Sequence, residues 1–179
     1  EMLKKSVMGV FIISLFCSLI GCRGQLRQDV LIMGSIKEYS DRSVILSLSS
    51  TLHENSILHV TLKENGSDQI AWEGETKVKE DGYIKYEFKR PKISEQYKLE
   101  VLFVPEKQPA SVKEIYGESG EYIREDSLGY RSYTYDGKKV DGIVMYGILT
   151  TFDKETDGKS QHKSWELVSD FANIESMLE

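Results

Sequence analysis

Few side chains in this sequence have the type and spacing to do chemistry. The histidines are His53, His59 and His162. No two of them stand four apart around a glutamate, the spacing that places two imidazoles on one metal. They therefore offer neither a metal site nor an acid–base pair. His59 alternates with apolar residues and is expected at the surface. Serines are many, but none sits in a Gly-x-Ser-x-Gly turn or in a legible pairing with His and Asp, and no phosphate-binding glycine loop is present. Six tyrosines cluster late in the chain: Tyr116, Tyr122, Tyr130, Tyr133, Tyr135 and Tyr146. Exposed rings of this kind stack on sugars or peptides. Equally, tyrosine suits half-buried strand positions. Tyr130, Tyr133 and Tyr135 are the candidate binding surface; no catalytic and no metal-binding residue is expected.

Two charged runs complete the inventory. Asp153-Lys154-Glu155-Thr156-Asp157-Gly158 resembles the opening of an EF-hand loop, with oxygen ligands at alternate positions and Gly sixth. The twelfth position is Ser164, where a bidentate Glu is needed, and the eighth is Ser160, where that family has an aliphatic residue. A solvated acidic connector is the reading adopted, with no cofactor. Lys89-Arg90-Pro91-Lys92 is read as a solvated basic turn.

The first residues carry the clearest signal. Lys4 and Lys5 follow Met2, and an apolar run extends from Val7 to Ile20. That run is shorter than the roughly 20 residues that span a bilayer, and fits a signal sequence. Glu1, ahead of Met2, is read as foreign to the natural start. The run ends Leu19-Ile20-Gly21-Cys22, which resembles the bacterial lipobox. The resemblance implies cleavage before Cys22, attachment to its thiol of a diacylglycerol carrying palmitate-type chains, and anchoring at the extracytoplasmic face of the cell membrane. Two or more acyl chains anchor stably where one is marginal.

The two cysteines are Cys17, inside the apolar run, and Cys22. The folded part therefore holds no disulfide and no thiolate metal site. The net charge is −6; loss of Lys4, Lys5 and Glu1 with the leader makes it −7. Nucleic acid, which needs a positive surface, is excluded as a partner.

Downstream, apolar residues alternate with polar ones. Val44, Leu46 and Leu48 share one face, as do Leu58, Val60 and Leu62; Ile70, Trp72 and Val78 follow, then Ile84, Tyr86 and Phe88, then residues 97–103. Gly, Asn and Asp turns separate these runs, as in an antiparallel sandwich. Residues 109–116 read as a short helix ended by Gly117, and residues 130–135 and 140–152 as a hairpin turned at Asp136-Gly137. Leu167, Phe171, Ile174 and Leu178 fall at helical spacing, with Ser164 as N-cap, and predict a C-terminal amphipathic helix that either caps the core or docks into a partner.

The strands around Val44 and Val60, Gly82, Tyr97-Lys98-Leu99-Glu100-Val101 and the segment Gln108-Pro109-Ala110-Ser111-Val112-Lys113 resemble the immunoglobulin-like domains of small exported Gram-positive lipoproteins. That resemblance implies adhesion, assembly or display, and no active site. The expected organisation is a leader over 1–21, a lipidated tether over 22–28, a β domain over 29–152, and an acidic connector with a helix over 153–179. The expected function is binding or assembly at the cell envelope, with the membrane as one partner and an envelope protein or wall polymer as another. The alternatives are an accessory subunit of a membrane complex and an enzyme acting on wall polymer.

Overall fold

The structure, a computed structural model, describes residues 25–174. The expected leader over 1–21, Cys22 and Leu178 lie outside the described residues. Nine strands form two antiparallel sheets among them: β1 (Ile32–Tyr39), β2 (Ser43–Ser50), β3 (Ile57–Glu64), β4 (Ile70–Lys77), β5 (Tyr83–Lys89), β6 (Tyr97–Phe103), β7 (Tyr130–Tyr135), β8 (Lys138–Leu149) and β9 (His162–Glu166). One sheet has the order β5-β2-β1-β9 and the other β4-β3-β6-β8-β7. A 3₁₀ turn (Pro105–Lys107) and the helix α1 (Ala110–Tyr116) link β6 to the loop before β7.

The two sheets pack their alternating apolar faces together. Val44, Leu46 and Leu48 of β2 face Leu58, Val60 and Leu62 of β3 in one core, with Leu99, Val101 and Phe103 of β6 and Ile143, Met145 and Leu149 of β8. Each fully buried side chain of this kind is worth roughly 1.5–3 kcal/mol. At one edge, Trp72 of β4 stacks on Phe88 of β5 with ring centroids 4.0 Å apart and planes 9° apart, joining the sheets. Between the sheets, the Ile36 side chain of β1 packs directly on the backbone of Gly147 in β8, where an added Cβ would lie 2.0 Å from Ile36 Cδ1. The β7–β8 hairpin turns at Asp136 and Gly137, both at positive φ (49° and 71°), the left-handed pair that a two-residue hairpin requires.

The segment from β9 onward corrects the helix expected from Ser164. Ser164 is a strand residue paired with Lys37 of β1, and Trp165 pairs with Ile36. Val168 then exchanges both backbone hydrogen bonds with Tyr146 of β8, at 2.7 and 2.9 Å, so the chain passes from one sheet to the other. The physical reason is that Lys163, Trp165 and Leu167 also alternate, and period-two pairing with an open edge of β1 satisfies backbone groups that a free helix end would leave bare. Among the described residues, helical backbone in this segment begins at residue 172 and reaches 174, where Ile174 is buried. Phe171 is half-buried, its ring 5.9 Å from that of Tyr146.

Strand β1 was not legible as a strand, because its inward positions are Ile32, Gly34, Ile36 and Glu38. Glu38 is fully buried, and so is its partner Arg90. Arg90 therefore belongs to the interior, which corrects the reading of its basic run as a solvated turn. Arg90 Nη1 donates to Glu38 Oε2 at 2.6 Å and to the Thr150 carbonyl at 2.6 Å. Its Nε donates to the Lys92 carbonyl at 2.8 Å, and Nη2 to that of Glu95. Glu38 in turn accepts from the Thr150 amide at 3.0 Å, the Thr150 hydroxyl at 2.9 Å and the Trp165 indole N–H at 2.8 Å. Burial pushes the Arg90 guanidinium down from its ordinary value, and the charge of Glu38 opposes that.

Removing one partner of such a pair strands the other charge. Arg90→Met is expected to lower the stability of the soluble chain from Arg23 onward by about 3–5 kcal/mol, and Glu38→Gln together with Arg90→Met to recover part of that loss. Urea denaturation checks both; a double variant less stable than Arg90→Met would contradict the assignment.

Candidate functional site

The outer face of the five-stranded sheet holds a concavity. Outward positions of β3 and β6 carry His59, Thr61, Glu100 and Leu102, and β4 contributes Glu73 and Glu75, because in each strand the alternate residues are committed to the core. Leu102, Val104 and Ile70 supply apolar lining, while Glu73, Glu75, His59 and Lys107 supply polar groups, around a groove of about 500 Å³. Beside it, Glu100 is buried under two cations, Lys63 at 3.1 Å and Lys98 at 3.3 Å, and accepts a hydrogen bond from the Thr61 hydroxyl.

His59 is half-buried rather than a free surface residue. Its Nδ1 stands 3.8 Å from Glu75 Oε2, beyond a hydrogen bond, and its Nε2 is buried with no partner. Burial, reinforced by Lys107, holds the imidazole below its ordinary pKa despite the nearby Glu75, Glu106 and Glu73. The neutral form of the ring is thus favoured, and its buried Nε2 is left without a partner. No hydroxyl or thiol among the described residues is hydrogen-bonded to it.

The tyrosines singled out from the sequence do not share one face. Tyr130 packs against the core. Burial, together with the Asp141 carboxylate beside it, pushes its hydroxyl up to about 12. Tyr133 points the other way and donates to Glu106 Oε2 at 2.7 Å; burial and that carboxylate raise its pKa as well. Tyr135 alone is open, 50 % exposed, beside a second recess of about 270 Å³ that Glu106, Lys113, Ser119 and Lys138 also line. His53 is exposed with Nδ1 2.9 Å from the Glu54 carbonyl oxygen, and His162 lies with its ring 5.8 Å from Tyr39.

In the acidic segment, Asp153, Glu155 and Asp157 are exposed, while Thr156 turns inward to share a 2.6 Å hydrogen bond with the Ser40 hydroxyl. Among the described residues, no three His, Cys, Asp or Glu side chains converge as metal ligands would, and no helix is long and apolar enough to cross a membrane. The groove was missed in the sequence because its parts lie on three strands. The one local sign was Leu102, an apolar residue at an outward position between Val101 and Phe103.

His59 gives a signed pH dependence. Its folded pKa is depressed, so the stability tied to its neutral form is present above about pH 6.5 and is lost as pH falls through the folded value. His59→Gln should flatten the decline in melting temperature between about pH 7 and pH 5 without changing it at higher pH. Equal slopes in the two proteins would contradict the burial of a neutral imidazole. Comparison of the chain with protein-family models finds no match, and no similar curated protein or solved structure is found either.

Proposed function

We propose that this chain is a lipid-anchored extracytoplasmic protein with a non-enzymatic binding or assembly role at the cell envelope. The observation that carries the reading is the leader: two lysines, an apolar run too short to span, and Leu19-Ile20-Gly21-Cys22. Acyl chains on Cys22 hold the domain at the outer face of the cell membrane.

The sandwich is read as immunoglobulin-like, and its connectivity supports that. β1, β2 and β5 occupy the places of strands A, B and E in one sheet; β4, β3, β6 and β8 occupy those of C′, C, F and G in the other. β7 and β9 are additions at two edges. Such a frame commits its core to packing and leaves sheet faces and loops for recognition. The groove over β3, β4 and β6 is the binding face, since it joins an apolar lining of Ile70, Leu102 and Val104 to the polar side chains of His59, Glu73, Glu75 and Lys107. An envelope protein or wall polymer is its partner.

Two expected outcomes test this. Metabolic labelling with a palmitate analogue should mark the chain, and Cys22→Ala should abolish the label; equal labelling removes the anchor from the account. The soluble chain from Arg23 onward should be retained by isolated wall polymer or by solubilised envelope protein. Leu102→Arg, which puts a charge in the groove, should lose that retention. Unaltered retention would move the binding face elsewhere.

A further inference from the structure

The tether is far shorter than the sequence suggests. Residues 22–28 read as a free linker, yet the chain is held from Gln25 onward. The Gln25 side-chain amide donates to the Glu114 carbonyl, at the C-terminal half of α1, at 2.6 Å. The Gln28 amide donates to the Tyr122 carbonyl at 2.6 Å, and the Arg124 amide to the Gln28 carbonyl at 2.8 Å, so Gln28 forms a parallel bridge with Ile123. Two residues on, the Val30 amide donates to the Ser127 hydroxyl at 3.0 Å, and Val30 is buried. Three residue steps separate Cys22 from Gln25, which even fully extended reach roughly 11 Å.

We propose that the end of the domain built from residues 25–28, α1 and the loop 117–129 rests against the lipid head groups of the membrane that holds the anchor. The inference rests on Cys22 carrying the lipid. An acylated cysteine sits at the boundary of the hydrocarbon, and the head-group layer beyond it is roughly 5–8 Å deep on each side. A tether of about 11 Å therefore leaves at most roughly 3–6 Å beyond the head groups, too little for the domain to turn freely. The surface at this end fits that position. Leu26 is 82 % exposed and Leu128 is 44 % exposed, two of the few large apolar side chains left in water. Leu26 precedes the bridge at Gln28, and Leu128 follows Ser127, which anchors Val30, so both belong to the same end.

The contact is apolar and geometric rather than electrostatic. Arg27 is paired with Glu125 at 3.2 Å, and Arg124 is paired with Asp126. Neither cation is free for lipid phosphate, and the carboxylates nearby give anionic head groups no advantage. The opposite end, with the turn between β3 and β4 at residues 65–69, then faces away from the membrane.

The test uses the full chain, expressed with its leader and purified with its acyl groups verified by mass. Each of Leu128→Cys and Asp68→Cys carries a spin label in phosphatidylcholine vesicles, with and without phosphatidylglycerol. Leu26 is within reach of lipid in any arrangement; Leu128 is brought there only if this end docks. The expected result is loss of collision with a water-soluble nickel chelate at Leu128 and full collision at Asp68, in both lipids. A Gly/Ser insert of about ten residues after Gly24, adding roughly 17 Å of mean reach, should return the Leu128 label to water. Equal accessibility of the two labels on acylated protein overturns the docking and leaves the anchor standing. A requirement for phosphatidylglycerol overturns the apolar contact, and continued burial after the insert overturns the tether's role. Purified chain without acyl groups overturns both the docking and the anchor.

Discussion

One buried ion pair constrains this fold more than any other interaction. Placing Glu38 and Arg90 in the interior costs several kcal/mol per charge in lost hydration, which their attraction offsets only if the remaining hydrogen-bonding groups are satisfied. Here they are. Glu38 accepts from Arg90, Thr150 and Trp165, and Arg90 donates to three backbone carbonyls. The pair ties together β1, the end of β5, the end of β8 and β9, adding side-chain bonds to the backbone pairing of β1 with β9. It also fixes register. A one-residue slip of β1 would carry Glu38 to the solvent side and Arg90 would lose its charge partner, whereas Gly34 contributes no side chain to hold the strand in place.

With that end of the sandwich pinned, the remaining elements fall into a consistent arrangement. β9 completes the sheet beside β1 because Trp165 must reach Glu38, and the chain then crosses to β8 at Val168. The opposite end is closed by polar side chains binding backbone rather than by charge. Gln108 donates to the Ile57 and Val104 carbonyls at 2.9 and 3.1 Å while accepting from the Ile57 amide at 2.7 Å, which seats the 3₁₀ turn against the start of β3. The Tyr116 hydroxyl accepts from the His53 amide at 2.8 Å and holds α1 to the link between β2 and β3. The His59 groove lies on the sheet between these two ends, on a floor that neither end can easily deform.

Much of this was written in the alternation of residues 43–103, where strands with apolar inner faces and Gly, Asn or Asp turns announce themselves. The β7–β8 hairpin was equally clear from Asp136-Gly137, and α1 from Pro109 and Gly117. What the sequence hid shares one cause, polar residues doing interior work. Glu38 broke the pattern of β1, and Arg90 was masked by the lysines on either side. Lys163 disguised β9, whose alternation competed with a helical spacing through Leu167, Phe171 and Ile174. The groove was illegible for a different reason: His59, Glu75 and Leu102 are cross-strand neighbours whose proximity exists only once register is set. The seating of residues 28–30 likewise depends on Ile123 and Ser127, about a hundred residues away.

The most direct test of the ion pair as organiser is native-state hydrogen exchange at Thr150 and Trp165. The Thr150 amide and the Trp165 indole N–H both donate to Glu38 near the end of the sandwich, where loops alone would let protons exchange quickly. The account predicts that both exchange only through global unfolding, with protection equal to that of core amides such as Val60 and Val101. Exchange of either proton at the rate of the surrounding loops, in a protein whose core amides remain protected, would contradict it.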